Sequence, residues 1–363
     1  MKKLRIGILS TAGIGKKNWK AIHHSGNCII TAVASRDLRK SRAFIDECQG
    51  VFGFSETPLA FGSYEELVAS PIVDAVYIPL PTGLRHEWVL RAAAAGKHII
   101  CEKPCANSAA ELGEMLAACA KNSVQFMDGV MFMHSPRLDS ICEVLTDGKS
   151  VGPIRRISSA FSFYPYDQSF FRHNIRTSTS LEPSGCLGDL GWYSIRITLW
   201  ALGWKLPATV SGHVLSPSNA ADASKTPPLE FSGELFFEGE TSASFFCSFL
   251  TEKQQWAHIS GQKGWLRLPD FVHPLNSYEP GFEVNEKFSR VAGQPPCPPD
   301  VDPQPQGHAT AQDTRMFRNF ANQVFTGKLN EDWPNWAMQT QVVVDACLES
   351  ARRGSPVRLT HSK

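Results

Sequence analysis

The sequence has 363 residues, a length that suggests two domains of ordinary size. Hydrophobic residues make up 42% and charged residues 20%, so the composition is that of a globular protein and argues against wholesale disorder. The 36 Lys and Arg residues nearly balance the 35 Asp and Glu residues, which predicts no nucleic-acid partner and no acidic membrane partner. Because no stretch reaches about 18 uninterrupted apolar residues, we expect no membrane span.

The ten cysteines are spread along the chain without a CxxC pair, and most lie in apolar segments. Reduced core thiols have this distribution, which favours a reducing compartment, and we expect the cytoplasm. Cys101 and Cys105 bracket Glu102-Lys103-Pro104 without a further Cys or His at ligand spacing. The sequence therefore predicts no metal site there.

The first third of the chain alternates between strand patterns and helix patterns. The apolar segments of strand length are Leu4–Leu9, Cys28–Ala34, Asp74–Pro79, His98–Cys101 and Val124–Met127. Strands that alternate with helices predict a doubly wound parallel sheet with helices on both faces, and we assign it to residues 1–128.

Beyond residue 129 a helix pattern covers His134–Leu145. From Ile154 onward strand patterns dominate, and one helix near Trp192–Leu202 interrupts them. The strand patterns are Ile154–Tyr164, Thr209–Leu215, Gly233–Phe237, Ser242–Leu250, His258–Ser260 and Trp265–Leu268. The proline-rich segment Gln294–Gln306 predicts a surface loop, and helix patterns follow at Ala309–Phe325 and Trp336–Arg352. We therefore predict an α+β domain over residues 129–363, with an open, mostly antiparallel sheet and helices on one face. Such a sheet often covers its other face with a second copy, which favours a homodimer or homotetramer.

The turn between the first strand and the first helix is where dinucleotide-binding folds carry G-x-G-x-x-G. In this chain Ser10 and Ala12 replace the first two glycines, and Gly15 is kept. The place still favours a pyrophosphate site, because backbone N–H groups and a helix N-terminus would face the anion. A loop that binds nothing remains the alternative. The predicted cofactor contacts of this Rossmann domain are Ser10, Thr11, Ala12, Gly13 and Ile14.

The second strand ends in Ser35-Arg36-Asp37, where NAD-binding folds place an acidic residue for the ribose 2′-hydroxyl. Here Ser35 and Arg36 occupy that region, and a hydroxyl with a guanidinium suits a 2′-phosphate. We therefore predict NADP as cofactor, with NAD as the less favoured alternative that Asp37 keeps open. A solvated charge cluster at a helix start is the alternative without a cofactor.

Two segments carry side chains suited to chemistry. Glu102-Lys103-Pro104 follows the strand His98–Cys101, at the edge where open α/β sheets bind ligands. Asp189 and Tyr193 stand four residues apart at the start of the second-domain helix, so one face of an α-helix would carry both. Each residue taken alone has an alternative without chemistry. Lys103 fits a surface lysine, Asp189 fits a helix-capping aspartate, and Tyr193 fits a half-buried tyrosine.

In this order along the chain, the motifs resemble the Gfo/Idh/MocA family, and the similarity covers nearly the whole sequence. The matching segments are residues 62–67, 73–78, 95–98, 102–104, 185–193 and 350–354, together with the turn after the first strand. With Tyr193, the chain resembles the branch of the family that has a tyrosine at the catalytic position. That branch includes glucose-fructose oxidoreductase, dihydrodiol dehydrogenase and xylose dehydrogenase. The resemblance implies hydride transfer between NADP and a sugar, polyol or related alcohol or carbonyl compound.

The resemblance also implies roles for individual residues. Tyr193 would be the acid/base, with Lys103 and Asp189 as the other catalytic residues. A free tyrosine has a pKa of about 10, and the ammonium of Lys103 would lower it. Where relatives have one histidine after the third strand motif, Arg85 precedes His86 here, so either could make the contact. The cofactor contacts implied in this way are Leu80, Pro81, His86, Glu102, Lys103 and Arg176.

Two other functions stay open at this point. Some relatives use a transient oxidation to cleave glycosides and return the cofactor to its starting state. A protein that senses NADP or binds a partner would hold the cofactor without turnover. The retained Lys103 and Tyr193 favour an enzyme over such a sensor.

Overall fold

The computed structural model describes residues 2–167, 169–219, 226–275, 280–290 and 307–359. The predicted loop Gln294–Gln306 lies outside these residues. The helices in chain order are α1 (Gly13–Ser25), α2 (Leu38–Val51), α3 (Tyr64–Ala69), α4 (Thr82–Ala94), α5 (Ala109–Lys121), α6 (Arg137–Thr146), α7 (Phe170–His173), α8 (Trp192–Ala201), α9 (Gln312–Phe325) and α10 (Asp332–Arg353). None of the helices in the described ranges combines the length and the apolar character needed to cross a membrane.

The strands form two sheets, one in each of two compact units of the chain. The strands of the first sheet are β1 (Leu4–Leu9), β2 (Cys28–Ala34), β3 (Leu59–Phe61), β4 (Ala75–Ile78), β5 (His98–Cys101) and β6 (Phe126–Asp128). Those of the second are β7 (Ile154–Ser162), β8 (Thr209–Pro217), β9 (Pro228–Phe236), β10 (Ser242–Ser248), β11 (Gln254–Gly261), β12 (Trp265–Leu268), β13 (Gly281–Val284), β14 (Lys287–Arg290) and β15 (Val357–Arg358).

The first unit is built on a fully parallel sheet with the order β3-β2-β1-β4-β5-β6. Its central strands are almost wholly buried, as in β4, because helices cover both faces of parallel sheets. The predicted doubly wound fold is confirmed. The chain order reverses between β1 and β4, and ligands of such folds bind at that reversal, beside the carboxyl ends of the strands.

The first unit also contains residues 307–337, which lie late in the sequence. Helix α9 packs on α1: Asn27 Nδ2 donates to the carbonyl oxygen of Arg318 at 3.0 Å, and Arg318 Nε donates to that of Ser25 at 2.8 Å. Helix α10 begins in the first unit and ends in the second. The compact units therefore do not follow one cut after residue 128, and the domain boundary at that residue stays a prediction.

The second unit is built on a sheet with the order β14-β13-β12-β11-β7-β10-β9-β8-β15. Strands β7 and β10 pair in parallel, and the other neighbours pair antiparallel. Alternate residues are buried, as in β10, where Ala243, Phe245 and Cys247 point to the core side. The predicted mostly antiparallel sheet is confirmed.

Several element ends differ from the sequence-based expectations. The helix expected from His134 begins at Arg137, and a 3₁₀ turn over Met131–His134 precedes it. The cause is Pro136, since the residue before a proline avoids the helical region, and Ser135 is extended with ψ of 130°. Strands β3, β13, β14 and β15 were not predicted.

Candidate active site

The turn after β1 replaces a glycine by a serine that adopts a glycine-like backbone. Ser10 has φ of 142°, in the region that favours glycine, and its side chain is buried. Its hydroxyl donates to the carbonyl oxygen of Pro79 at 3.3 Å and accepts from the Ala12 N–H at 3.3 Å. These two bonds tie the turn after β1 to the loop after β4, and they hold the backbone conformation for which the usual first glycine is needed.

The retained glycine has a packing reason. A Cβ on Gly15 would come within 3.2 Å of the Phe44 ring on α2, so a larger residue would push the two helices apart. A Cβ on Gly13, at the first position of α1, would meet open space. Of the two glycines in this turn, Gly15 is therefore the one with little room for a side chain.

Two helices that start at the reversal between β1 and β4 have no side-chain cap. Neither Ala12 at the start of α1 nor Pro81 at the start of α4 makes a capping hydrogen bond. By contrast, Asp37 caps α2 and Ser63 caps α3. The first N–H groups of α1 are therefore available to an anion, and the helix field favours negative charge there.

The carboxyl end of β2 presents an exposed cation, Arg36, beside a carboxylate that is already bonded, Asp37. Ser35 is buried, and Arg36 is exposed. Burial raises the pKa of Tyr64, and the nearby Arg36 guanidinium partly opposes this, which places Arg36 beside that phenol. Asp37 accepts from the Arg39 N–H at 2.9 Å and pairs with the Arg39 side chain, which lowers the pKa of Asp37. Asp37 is thus a helix cap, and Arg36 is an exposed guanidinium beside the Tyr64 phenol.

Arg85 and His86, the two neighbouring basic residues that follow β4, lie in different surroundings. Arg85 is 5% exposed, and its Nε donates to the carbonyl oxygen of Leu80 at 2.7 Å. His86 lies on the outer side of α4, with Nε2 at 2.7 Å from Glu114 Oε2 on α5. Leu80 is buried and Pro81 is half-buried. The structure therefore directs Arg85 toward the strand-end loops and His86 toward a neighbouring helix.

The end of β5 carries a buried hydrogen-bond chain. Asn18 Nδ2 donates to Tyr77 Oη at 2.6 Å, and Tyr77 Oη donates to Glu102 Oε1 at 2.7 Å. Burial, and after it the charge of Glu102, holds the pKa of Tyr77 well above its usual range, so the phenol stays protonated and donates. No described residue donates to Glu102 Oε2, so this oxygen remains available to a ligand hydroxyl beside the half-buried Lys103.

In the second unit the structure brings Arg176, Asp189 and Tyr193 together. Arg176 Nε donates to Asp189 Oδ2 at 2.6 Å. The charge of Asp189 raises the pKa of Arg176, and Glu182 and Tyr193 add to this. The Tyr193 ring is buried, edge-on to Phe161 with centroids 5.5 Å apart. A carboxylate, a guanidinium and a phenol therefore share one neighbourhood.

Asp189 and Tyr193 do not lie on one continuous α-helix, as the sequence suggested. Residues Leu187–Gly191 form a π-helical turn, and α8 begins at Trp192. The turn lies close to the sheet: a Cβ on Gly191 would lie 3.3 Å from Cys247 Sγ and 3.6 Å from Phe245 Cε2, both on β10. Such wider turns are frequent at functional sites, and this one places Asp189 against Arg176.

Sequence reasoning missed several residues of these two groups, namely Lys17, Asn18, Tyr77, Glu182 and the main role of Arg85. Tyr77 offers the clearest local hint, as a hydroxyl in an otherwise apolar buried strand. Burial lowers the pKa of Lys17, and the charges of Asp313, Glu102 and Lys103 also act on it. No pattern in the sequence predicts which long-range partners these side chains meet. Within the described ranges, no group of three or more His, Cys, Asp or Glu side chains could hold a metal ion.

Comparison with known proteins matches two consecutive segments of the chain to one family. A family model described as "Oxidoreductase family, NAD-binding Rossmann fold" matches residues 4–130, and "GFO/IDH/MocA C-terminal domain" matches residues 142–267. D-xylose 1-dehydrogenase (NADP(+)) 2 from Haloferax volcanii is 30% identical over 98% of this chain and 100% of its own length. Human trans-1,2-dihydrobenzene-1,2-diol dehydrogenase is 28% identical over 66% of each chain.

Solved structures share the fold at lower sequence identity. A 3-ketoreductase from Actinomadura kijaniata in complex with NADP and TDP-benzene has a TM-score of 0.80, 23% identity and coverage of 96% of this chain and 98% of its own. Aldose-aldose oxidoreductase from Caulobacter crescentus complexed with glycerol has a TM-score of 0.81, 21% identity and coverage of 99% and 100%.

Proposed function

Because the chain belongs to the GFO/IDH/MocA oxidoreductase family, we propose that it uses NADP to transfer hydride to or from an alcohol carbon of a sugar or polyol. The family membership predicted from the sequence is confirmed. The observation that carries the proposal lies at the carboxyl edge of the parallel sheet. There the uncapped start of α1, Arg36 and the Glu102–Lys103 pair follow β1, β2 and β5, which are all strands near the reversal.

The residues at this edge fit a dinucleotide. The free N–H groups at the start of α1 suit a pyrophosphate, and Glu102 Oε2 suits a ribose hydroxyl. Arg36 suits a 2′-phosphate, whereas Asp37 is already used as the cap of α2. Ser10, Thr11, Ala12, Gly13, Ile14, Ser35, Leu80 and Pro81 complete the proposed cofactor contacts. The Haloferax relative, whose name specifies NADP(+), supports the same choice.

The first test concerns the choice between NADP and NAD. We expect Arg36→Ala to weaken NADPH binding about 10-fold or more and to leave NADH binding nearly unchanged, because charge-assisted bonds to phosphate contribute roughly 1.5–3 kcal/mol. Fluorescence titrations with both cofactors measure this. Arg42→Ala is the matched control, since it removes an exposed arginine from α2. Equal affinities of the unchanged protein for NADPH and NADH would contradict the assignment.

The substrate class is tested directly by turnover. D-xylose and trans-1,2-dihydrobenzene-1,2-diol are the probes, because two relatives are named for them. We expect formation of NADPH from NADP⁺ with at least one of these vicinal diols. Tight NADPH binding without oxidation of either diol and without reduction of a ketose would argue against the proposed activity and for a sensor.

The proposed mechanism assigns proton transfer to Tyr193. The bound cofactor supplies the nicotinamide C4 that accepts or donates the hydride. Tyr193 takes the hydroxyl proton of an alcohol substrate as it is oxidised, and returns it to the oxygen when a carbonyl is reduced. Lys103 favours the ionised phenol through its positive charge. Arg176 adds positive charge beside Tyr193, and its ion pair with Asp189 fixes the direction of the guanidinium. Asp189 and Arg176 orient the substrate hydroxyls, and Arg176 is kept as a proposed cofactor contact.

We further propose that the outer face of the second sheet forms a homodimer or homotetramer. That face carries the half-buried aromatic residues Phe246, Trp256 and Trp265 among small residues such as Ser158 and Ser244. Phe246 and Trp256 both lie opposite Ala160 across β7, so they form one apolar row. A row of large apolar rings between small side chains is suited to close contact with a second copy.

The oligomer is tested by placing a charge in this row. We expect Trp256→Glu to shift the protein to a smaller species, measured by light scattering after size-exclusion chromatography, because a buried unpaired carboxylate is costly. Leu59→Glu is the control, since Leu59 is an exposed apolar residue in the other unit. An unchanged mass for the Trp256 variant would contradict this interface.

The cysteines are the observation behind the proposed cellular compartment. All nine cysteines in the described residues are free, and eight of them are buried. We retain the cytoplasm as the proposed location, since buried reduced thiols persist in a reducing compartment.

A further inference from the structure

We propose that Arg85 is the positioning residue that fixes Lys103, because it binds the main chain on both sides of that lysine. Arg85 Nη1 donates to the carbonyl oxygen of Glu102 at 2.9 Å and also to the carbonyl oxygen of Pro104. These two residues are the immediate neighbours of Lys103 in the chain. The inference rests on the proposed function, since it assigns a purpose to the orientation of Lys103.

The same guanidinium reaches the next loop of the sheet edge. Arg85 Nε donates to the carbonyl oxygen of Leu80 at 2.7 Å, and Nη1 lies 3.1 Å from Thr82 Oγ1. Leu80 follows β4 and Glu102 follows β5, and these strands are neighbours in the sheet. One side chain therefore holds the two loops at a fixed separation, with Lys103 between two of its attachment points.

The charge of Arg85 indicates that this arrangement has a purpose beyond packing. The residue is 5% exposed, and among the described residues no carboxylate lies within ion-pair distance of it. Burying a cation without a counter-ion costs free energy, which an apolar side chain of similar volume would avoid. What the guanidinium offers instead is a rigid fork of donors that meets several carbonyl groups in one geometry.

The neighbouring residue supplies a contrast. The sequence left Arg85 and His86 as alternatives, and His86 pairs with Glu114 on the outer side of α4. Arg85, one position earlier, faces inward because successive helix positions differ by about 100° of rotation. Of these two alternatives, Arg85 is therefore the one that makes the anchoring contacts.

The test is a double-mutant cycle on NADPH binding, measured by fluorescence titration of Arg85→Met, Lys103→Met and the double variant. We expect each single change to weaken binding several-fold and the double variant to be no weaker than about the Lys103 variant, because coupled residues are non-additive. Additive losses, or full affinity of the Arg85 variant, would overturn the inference. Full affinity of Lys103→Met would instead contradict the cofactor contact proposed for Lys103.

A second readout does not depend on the cofactor. The rate at which acetic anhydride modifies Lys103, followed by mass spectrometry, should change several-fold in Arg85→Met, because release of the flanking carbonyls alters the exposure of the amine. An unchanged rate would overturn the inference. Arg91→Met is the matched control on the same helix, since Arg91 is exposed and pairs with Glu87, and it should leave both readouts unchanged.

Stability is separated from positioning by a conservative variant. Arg85→Lys keeps the charge but lacks the fork, so we expect partial recovery of NADPH affinity relative to Arg85→Met. If Arg85→Met fails to fold, as judged by its thermal unfolding, the same cycle is run with Arg85→Lys. Affinity that follows the melting temperature of the variants, with no coupling to Lys103, would assign Arg85 a purely structural role.

Discussion

Replacing Tyr193 by phenylalanine should reduce turnover by about 10²-fold or more, because general acid–base catalysis typically contributes 10²–10⁴-fold. Phenylalanine keeps the ring that packs edge-on against Phe161 and removes only the ionisable hydroxyl. Folding and NADPH affinity should therefore stay close to those of the unchanged protein. Steady-state kinetics with NADP⁺ and D-xylose, together with NADPH titration and thermal unfolding, measure the three quantities.

Tyr166→Phe is the matched control for this experiment. Tyr166 is 78% exposed and bonds to Glu252 at the surface, so loss of its hydroxyl should leave turnover unchanged. A Tyr193 variant that keeps normal turnover would refute the acid/base assignment. A variant that loses turnover and NADPH affinity together would assign the phenol to binding instead.

Replacing Lys103 by methionine should reduce turnover by about 10-fold or more and move the remaining activity to higher pH, because a nearby cation stabilises the ionised phenol. Without the ammonium, a higher pH is needed to reach the same fraction of phenolate. The pH profile of kcat for alcohol oxidation, compared between the variant and the unchanged protein, measures this displacement.

Two further variants sharpen the interpretation. Lys103→Arg retains the charge, so its pH profile should stay closer to that of the unchanged protein even where kcat falls. Lys121→Met removes an exposed lysine at the end of α5 and should change neither quantity. A lower kcat with an unmoved pH profile in Lys103→Met would show that Lys103 positions ligands without tuning the phenol.

Much of the first unit follows from the sequence alone. The strands β1, β2 and β5 have the bounds expected from their apolar segments, because a strand buried on both faces must be a short apolar segment between polar turns. The candidate residues around Ser10, Arg36 and Lys103 follow from the same reasoning. In a parallel sheet the carboxyl ends of the strands share one edge, so residues distant in sequence are placed there by topology.

The partners of those residues were decided by the tertiary structure. The sequence did not decide whether Arg85 or His86 makes the contact after the third strand motif. In the structure, Arg85 donates to three main-chain carbonyl groups, and His86 pairs with Glu114. In the sequence, Asp37 left NAD as the alternative cofactor. In the structure, Asp37 caps α2 by accepting a hydrogen bond from the Arg39 N–H. Local periodicity reports which face of an element is buried, but it does not report which atoms of other elements meet that face.

The second unit shows the same limit at the segment that carries Asp189 and Tyr193. The sequence placed Asp189 and Tyr193 four residues apart, and an α-helix was the expected geometry. The structure has a π-helical turn instead, and Gly191 of that turn lies directly against Cys247 of β10. Residue spacing determined which side chains are available for chemistry. Contact with the sheet, between residues about sixty positions apart, decided how the backbone that carries them is wound.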